Sequence, residues 1–408
     1  MFKRSNPILL TLIIAVLSGV IGWQLGHYTL NLAWKNYHPE VKAINQTPPP
    51  NLQTIDFSLF WQTWDLVSKK YVDKKAVDPK KMYYGAIQGM VAALGDPYTI
   101  FLPPESQKAT KEELGGSFDG VGIELGYDKD KRLVVQAPLS GSPAEKGGIK
   151  AGDLIVKING KDSLNLGLPD AVILIRGQKG TQVVLQIYRN GEDKPRDVTL
   201  TRDTIVVKSA EYSAKKSPQG KNISYIKLSR FGERTSAEWE AAVSSTLAGA
   251  SQGIILDLRN NPGGFLEGAR YIGSEFLPTG DDVVLQEDSQ SQRLNYKVNR
   301  QGLLLQLPLV VMINKGSASA SEIVAGAMQD YNRGKLLGEQ SFGKGTIQET
   351  EDLSGGTGIH ITTAKWLTPK GRWIHQIGLT PDIKVDATTS ATPTQDIQLE
   401  KALSQFDQ

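Results

Sequence analysis

The chain has 408 residues, 39% hydrophobic and 22% charged, a balance that supports packed cores over two or three domains rather than one. Its formal charge of +3, with no basic run set against an acidic remainder, leaves no electrostatic footprint for nucleic acid. The absence of cysteine removes disulfides, thiolate nucleophiles and cysteine-ligated zinc, and the four histidines (His27, His38, His360 and His375) leave few candidates for any imidazole mechanism.

Residues 8–25 are almost wholly apolar, no Asp, Glu, Lys or Arg occurs from 5 to 34, and Lys3 and Arg4 stand before the run. A stretch of about 18–20 apolar residues spans a bilayer as a helix, and the basic flank keeps a stub, 1–7, in the cytoplasm. A cleaved signal peptide competes with this reading. The length of the apolar run and the lack of a small-x-small site after it favour an uncleaved transmembrane anchor over 8–30. On either reading the body is exported, periplasmic or at the cell surface. Residues 31–54, which include Thr47-Pro48-Pro49-Pro50, read as an extended linker.

Phe57, Phe60, Trp61, Trp64, Val67 and Tyr71 then recur at helical spacing, and 82–94 is a second helical stretch ended by Gly95-Asp96-Pro97. They define a helical region, 55–114, whose aromatics are expected to form helix core. From 115 to 203 the texture changes to short β-runs (120–125, 133–136, 153–158, 181–189 and 196–201) around one helical stretch at 168–175. The glycine-rich turn Phe118-Asp119-Gly120-Val121-Gly122-Ile123 is followed by Ser142-Pro143-Ala144, then by the run from Gly148 to Ile155, then by Ile158-Asn159-Gly160. In this order the three segments resemble a PDZ domain. The resemblance implies that Gly120, Val121, Gly122 and Ile123 bind the carboxylate of a peptide that adds as a strand, and consecutive glycine amides suit that task. A generic β domain with loop glycines is the bland alternative, and three matching segments outweigh it.

From 204 to 386 strands and helices alternate, as an α/β layer with a largely parallel sheet requires. The apolar run Val310-Val311-Met312-Ile313 leads into Lys315-Gly316-Ser317-Ala318-Ser319-Ala320-Ser321-Glu322 and a helix. Ser319 therefore sits at a strand-to-helix turn, where the following amides can stabilise an oxyanion. The same residues satisfy a capping box, so Ser319 alone reads equally as an N-cap. The second segment, Phe342-Gly343-Lys344-Gly345, shifts the balance. A lysine between two glycines is an odd solvated charge, and if buried it becomes a general base for a serine hydroxyl. A phosphate-binding loop is the rival reading of 338–345. It is one residue short, Gly345 replaces the required Ser or Thr, and 346–351 reads as a strand rather than a helix.

Together these segments resemble the carboxyl-terminal processing (tail-specific) peptidases, serine proteases with an inserted PDZ domain. The resemblance covers about 55–384 and implies Ser319 as nucleophile, Lys344 as base, Gln348 as the residue orienting the lysine, and the Ala320 and Gly264 amides as oxyanion donors. Gly264, preferred over Gly263, comes from Asn260-Asn261-Pro262-Gly263-Gly264 after a core strand. Arg176 matches an arginine that couples peptide binding to the protease site, with an ordinary surface charge as the even alternative. Asp330 and Arg333 match positions expected to form structural salt bridges. The implied enzyme is a membrane-anchored endopeptidase acting on proteins with exposed C-termini, needing no metal or cofactor and binding no nucleic acid. A non-catalytic PDZ adaptor at the membrane is the competing class. The N-terminal helices and the tail, 387–408, with its one helical stretch at 396–406, are candidates for a homodimer contact.

Overall fold

The computed structural model describes residues 29–35 and 38–44 as strands, and residues 56–408 apart from 140, 165 and 387–394. Residues 8–28 of the anchor expected over 8–30 lie outside the described residues, and 29–30 begin a strand. Among those described, no helix is long and apolar enough to cross a membrane. The chain divides into two compact units, residues 1–83 and 84–408.

In the first unit Thr29–Lys35 pairs antiparallel with His38–Ile44, so strand rather than extended linker occupies most of this stretch, and its first two residues fall at the end of the range expected for the anchor. The helix Ser58–Lys70 follows the aromatic spacing, but it buries none of its residues. Phe60 and Trp61 meet edge-on at 5.0 Å, and Trp61 is 62% exposed. Helical spacing brought these rings to one face, yet burial needs a covering surface, and periodicity carries no information about one. The expectation of helix core is corrected accordingly.

In the second unit the β module is a sheet with strand order Arg196–Thr201, Gln182–Tyr188, Leu154–Ile158, Leu133–Pro138 and Ile123–Tyr127. Gln182–Tyr188 alternates outward and buried residues, placing Val183, Leu185 and Ile187 in the module's core. The helix Leu168–Ile175 contributes Ala171 and Ile175 to the same core. Ile123–Tyr127 is the edge strand, so among the described residues one row of its backbone groups has no strand beside it. The module enters and leaves through one seam: Ser117–Gly120 pairs antiparallel with Asp203–Val206, and the Val207 amide donates to the Gly116 carbonyl at 2.9 Å.

The α/β core carries a sheet in the order Ala210–Lys216, Asn222–Leu228, Ile254–Asp257, Leu309–Ile313, Lys335–Gly338 and Ile383–Lys384, parallel from the second strand onward. The central strand Leu309–Ile313 is buried at every residue, as a strand covered on both faces must be. Helices Thr235–Ala248, Leu266–Gly273 and Ala320–Asp330 supply the cover on one face, through Trp239, Ile272 and Met328 among others. A second, antiparallel sheet joins Arg293–Lys297, Asp282–Asp288, Gly358–Leu367 and Thr346–Asp352, with Ile100–Leu102 paired to the start of Gly358–Leu367.

The residues read as a tail include the helix Ile397–Ser404, which docks on the other face of the parallel sheet. Ala402 and Phe406 are buried there with Ile255, Met312 and Leu337. Arg259 pins the helix start through Asp396 at 2.7 Å while also holding Asp257 at 2.7 Å. Asp330 and Arg333 do not pair with each other. Asp330 bridges Arg372 at 2.5 Å, whereas Arg333 donates to the carbonyls of Phe276, Leu304 and Leu307.

Candidate active site

In a parallel α/β sheet, ligands gather at the carboxyl ends of the strands. Here the strand Leu309–Ile313 ends in a tight turn that feeds the helix Ala320–Asp330. The turn is fixed from below. Ser317 Oγ donates to the Leu258 carbonyl, Ser321 Oγ to the Asn261 carbonyl, and the Ala318 amide to the same Asn261 carbonyl. Ser319 takes φ 54° and ψ −116°, a conformation that a residue with a Cβ rarely adopts. Such strain costs about 1–3 kcal/mol and persists only where the surroundings impose it.

The neighbouring loop at 260–264 presses against this turn. A Cβ on Gly263 would lie 2.8 Å from Ser319 Cβ and 3.0 Å from the Ala320 nitrogen, so only glycine fits. The Gly263 amide already donates to Asn261 Oδ1 at 2.9 Å. Gly264 is the next residue along the same wall, at φ 139°.

Lys344 arrives from the loop after Lys335–Gly338. Its glycine neighbours are sterically required: a Cβ on Gly343 would come within 2.8 Å of the Gly378 nitrogen, and one on Gly345 within 2.8 Å of Trp373 Nε1. Lys344 Nζ donates to Gln348 Oε1 at 2.6 Å and lies 5.1 Å from the centre of the Tyr98 ring. Burial shifts the Lys344 amine toward its neutral form, and the charges of Asp96 and Glu322 oppose this only in part.

Glu322 joins the two segments. One carboxylate oxygen accepts from the Ser319 and Lys344 amides, both at 2.9 Å, and the other from the Gly343 amide at 2.7 Å and the Ser341 hydroxyl at 2.5 Å. The bond to the Ser319 amide is the half of a capping box expected from the sequence. The other three reach across to the lysine loop. Burial pushes the carboxyl up, against the lowering effect of these four bonds.

Ser319, Ala320, Gly264, Lys344 and Gln348 line one cavity of about 450 Å³. Thr110, Glu113 and Leu114 of the helix Pro104–Gly115 form part of its wall, together with Arg230 and His360. Burial and the Lys344 charge both push the His360 imidazole down. His375 stands behind the loop, accepting from the Gly345 amide at 3.3 Å and stacked on Trp373.

Gly120, Val121, Gly122 and Ile123 do not join this cavity. They run from the seam into the module's edge strand, where Gly122 at φ 73° has no room for a Cβ against Ser142. Arg176 leaves the same module, packs its guanidinium 4.2 Å over the Phe118 ring and pairs with Glu112 at 3.1 Å. Glu112 precedes the cavity-lining Glu113 on the helix Pro104–Gly115, so Arg176 is no isolated surface charge.

Three family models match the chain: peptidase family S41 over residues 222–385, a PDZ domain over 108–188, and the N-terminal domain of the activating protease CtpB over 20–106. The carboxy-terminal processing protease CtpA of Bacillus subtilis (strain 168) is 37% identical over 325 residues, 80% of this chain and 68% of that protein. The chain belongs to peptidase family S41. CtpB of the same organism is 35% identical over 324 residues, 79% of this chain and 66% of that protein, so the S41 chain spans about two thirds of either relative's length. A solved photosystem II D1 C-terminal processing protease matches with a TM-score of 0.50 at 32% identity, covering 85% of this chain and 96% of the other. As an S41 member the protein is a serine-type peptidase, and the β module is its PDZ domain.

Sequence reasoning missed several groups at the peptidase's cavity. Glu322 had been read only as a cap partner, and 104–115 and Arg230 had not been assigned to the site. Asp96 reads from sequence only as part of the helix stop Gly95-Asp96-Pro97, and Tyr98 carries no assignment. The Asp-Pro-Tyr-Thr run was the available signal, since an Asp followed two or three residues later by free amides and a hydroxyl builds a local turn.

Proposed function

We propose that this S41 peptidase is a membrane-anchored endopeptidase that captures protein C-termini on its PDZ domain and cleaves near them with a Ser319–Lys344 dyad. The observation that carries this reading is the shared cavity: a serine on a strained turn and a desolvated lysine, tied to each other's backbone by one buried carboxylate.

Neutral Lys344 Nζ takes the Ser319 Oγ proton as Oγ attacks the scissile carbonyl carbon. The carbonyl electron pair moves onto oxygen, where the Ala320 and Gly264 N–H groups donate to it. The engagement of the Gly263 amide by Asn261 favours Gly264 as the second donor. Collapse expels the amine, which takes the proton from Lys344. Water, deprotonated by the same lysine, attacks the acyl carbon, the bond to Ser319 Oγ breaks with Oγ taking the proton back from Lys344, and the acyl group leaves as a new carboxylate. Gln348 holds the lysine in place throughout. Upstream, the tail adds to the open edge of Ile123–Tyr127 with its carboxylate at 120–123, and Arg176 links that module to the helix lining the cavity.

Full-length protein in detergent, treated with a fluorophosphonate, should carry the label on Ser319, and Lys344→Ala should remain unlabelled. Cleavage by a protein whose label maps to another residue, or to none, would sink the dyad. A substrate amidated at its C-terminus should be cleaved at least about tenfold more slowly at low concentration, the loss of about one charge-assisted contact. Equal rates would remove the carboxylate-reading role. The full chain should stay with vesicles through an alkaline carbonate wash, and a chain lacking residues 1–30 should be released.

A further inference from the structure

Behind the lysine lies a line of hydrogen bonds that ends on a carboxylate. Lys344 Nζ donates to Gln348 Oε1 at 2.6 Å, and Gln348 Nε2 donates to Thr362 Oγ1 and Thr346 Oγ1, both at 3.0 Å. The Thr362 hydroxyl in turn faces the Asp96 carboxylate and favours its ionised form. Asp96 also accepts from Thr99 Oγ1 at 2.7 Å and from the Tyr98 amide at 3.0 Å, while Thr99 Oγ1 accepts from the Thr362 amide at 3.0 Å. We propose that Asp96 is a positioning residue for the general base, setting through Thr362 which end of the Gln348 amide faces Lys344. The inference rests on the dyad reading above.

The reason is a count of protons. An ionised carboxylate only accepts, and a hydroxyl has one proton to give. With its proton turned toward Asp96, Thr362 can only accept from Gln348, and that forces the NH₂ end of the amide toward Thr362. The carbonyl end is left for Lys344, where it takes an N–H and leaves the amine's lone pair free for the serine proton. A reversed amide would aim an N–H at that lone pair and compete with Ser319 for it. The Thr362 and Thr99 hydroxyls and the Tyr98 and Thr99 amides outweigh burial, which pushes the Asp96 carboxyl up, and hold it below the usual range, so it stays an acceptor at neutral pH.

The groups facing Lys344 are Asp96 and Tyr98 from the 95–99 loop, Glu322 from the helix Ala320–Asp330, His360 from the strand Gly358–Leu367, and Gln348 from its own strand; Arg230 and Glu113 line the same cavity. Among them Asp96 and Glu322 favour the ammonium form. Removing the Asp96 charge therefore lets Lys344 lose its proton at a lower pH.

The test compares Asp96→Asn, Thr362→Val, Thr362→Ser and Lys344→Ala by kcat, KM and pH profile. Asp96→Asn and Thr362→Val should each lose about 10- to 100-fold in kcat with KM little changed, the usual range for a residue that orients a functional group. Thr362→Ser, which keeps the hydroxyl, should recover most of the activity. The acidic limb should move to lower pH in Asp96→Asn and stay in place in Thr362→Val, a split that loss of stability alone does not produce. Wild-type kcat in both Asp96→Asn and Thr362→Val, with Lys344→Ala inactive, overturns the relay and leaves the dyad standing. An active Lys344→Ala overturns both.

Discussion

Replacing Lys344 with alanine should lower kcat/KM on an unstructured protein substrate by roughly 10⁴- to 10⁶-fold, the range seen when one member of a nucleophile–base unit is removed. The melting temperature should move by only a few degrees. A buried amine pays for its own desolvation, so deleting it costs little stability, and the Gln348 carbonyl it leaves behind opens onto the cavity. Lys344→Arg should be as inactive as alanine, because guanidinium keeps the charge and cannot act as a base. Ser319→Ala should match these losses, and the double mutant should be no worse than either single one, since the two residues act as a unit. In the wild type, activity should climb with pH as Lys344 loses its proton. Because burial pushes that amine down, the limb should lie below the usual lysine range. A folded Lys344→Ala enzyme keeping more than about a hundredth of the activity would point instead to His360 on the same wall.

Glu322→Ala should be the most damaging single change to the assembled site. It strands the amides of Ser319, Gly343 and Lys344 and the hydroxyl of Ser341 in a buried position. Unsatisfied buried donors cost about 1–3 kcal/mol each, and partial relaxation brings the expected total to about 4 kcal/mol. For a chain of this size that corresponds to a fall in melting temperature of about 5 °C. Activity should drop at least about 100-fold, because one carboxylate sets both the nucleophile turn and the lysine loop. Glu322→Gln should be nearly as harmful. Each carboxylate oxygen serves two donors, and an amide would turn its own N–H groups toward one of those pairs. Differential scanning calorimetry beside single-substrate kinetics reads both effects. A glutamine variant with wild-type melting and turnover would remove Glu322 from this role.

Much of the site was legible in local runs of residues. The Ser319 and Lys344 segments announce themselves because strained turns and close approaches demand small residues at fixed offsets, and Gln348 follows four residues after Lys344 on the strand Thr346–Asp352. The strand–helix alternation likewise placed the parallel sheet, since each buried strand is a continuous apolar run. Thr99 and Thr362 lie 263 positions apart and meet because Ile100–Leu102 pairs with the strand Gly358–Leu367. A window of ten residues holds no trace of such a pairing. The same limit explains the tail, where Ala402 and Phe406 look unremarkable until the outer face of the sheet is there to receive them. The helix Ser58–Lys70 errs in the other direction: its aromatic spacing was read correctly as helix, and its burial was not, because periodicity reports a face and not what covers it.

The seam at the base of the PDZ domain has a consequence for how such a protein can change. Four residue pairs join Ser117–Gly120 to Asp203–Val206, and one hydrogen bond beyond them links Gly116 to Val207. The chain therefore leaves the core and returns to it at nearly the same point. An insertion whose ends already touch asks almost nothing of its host, because removing or exchanging it leaves no gap to close. The tail reader is in that sense a cassette. Recombination at this seam could give the same hydrolytic core a new clientele without disturbing a single residue of the cavity.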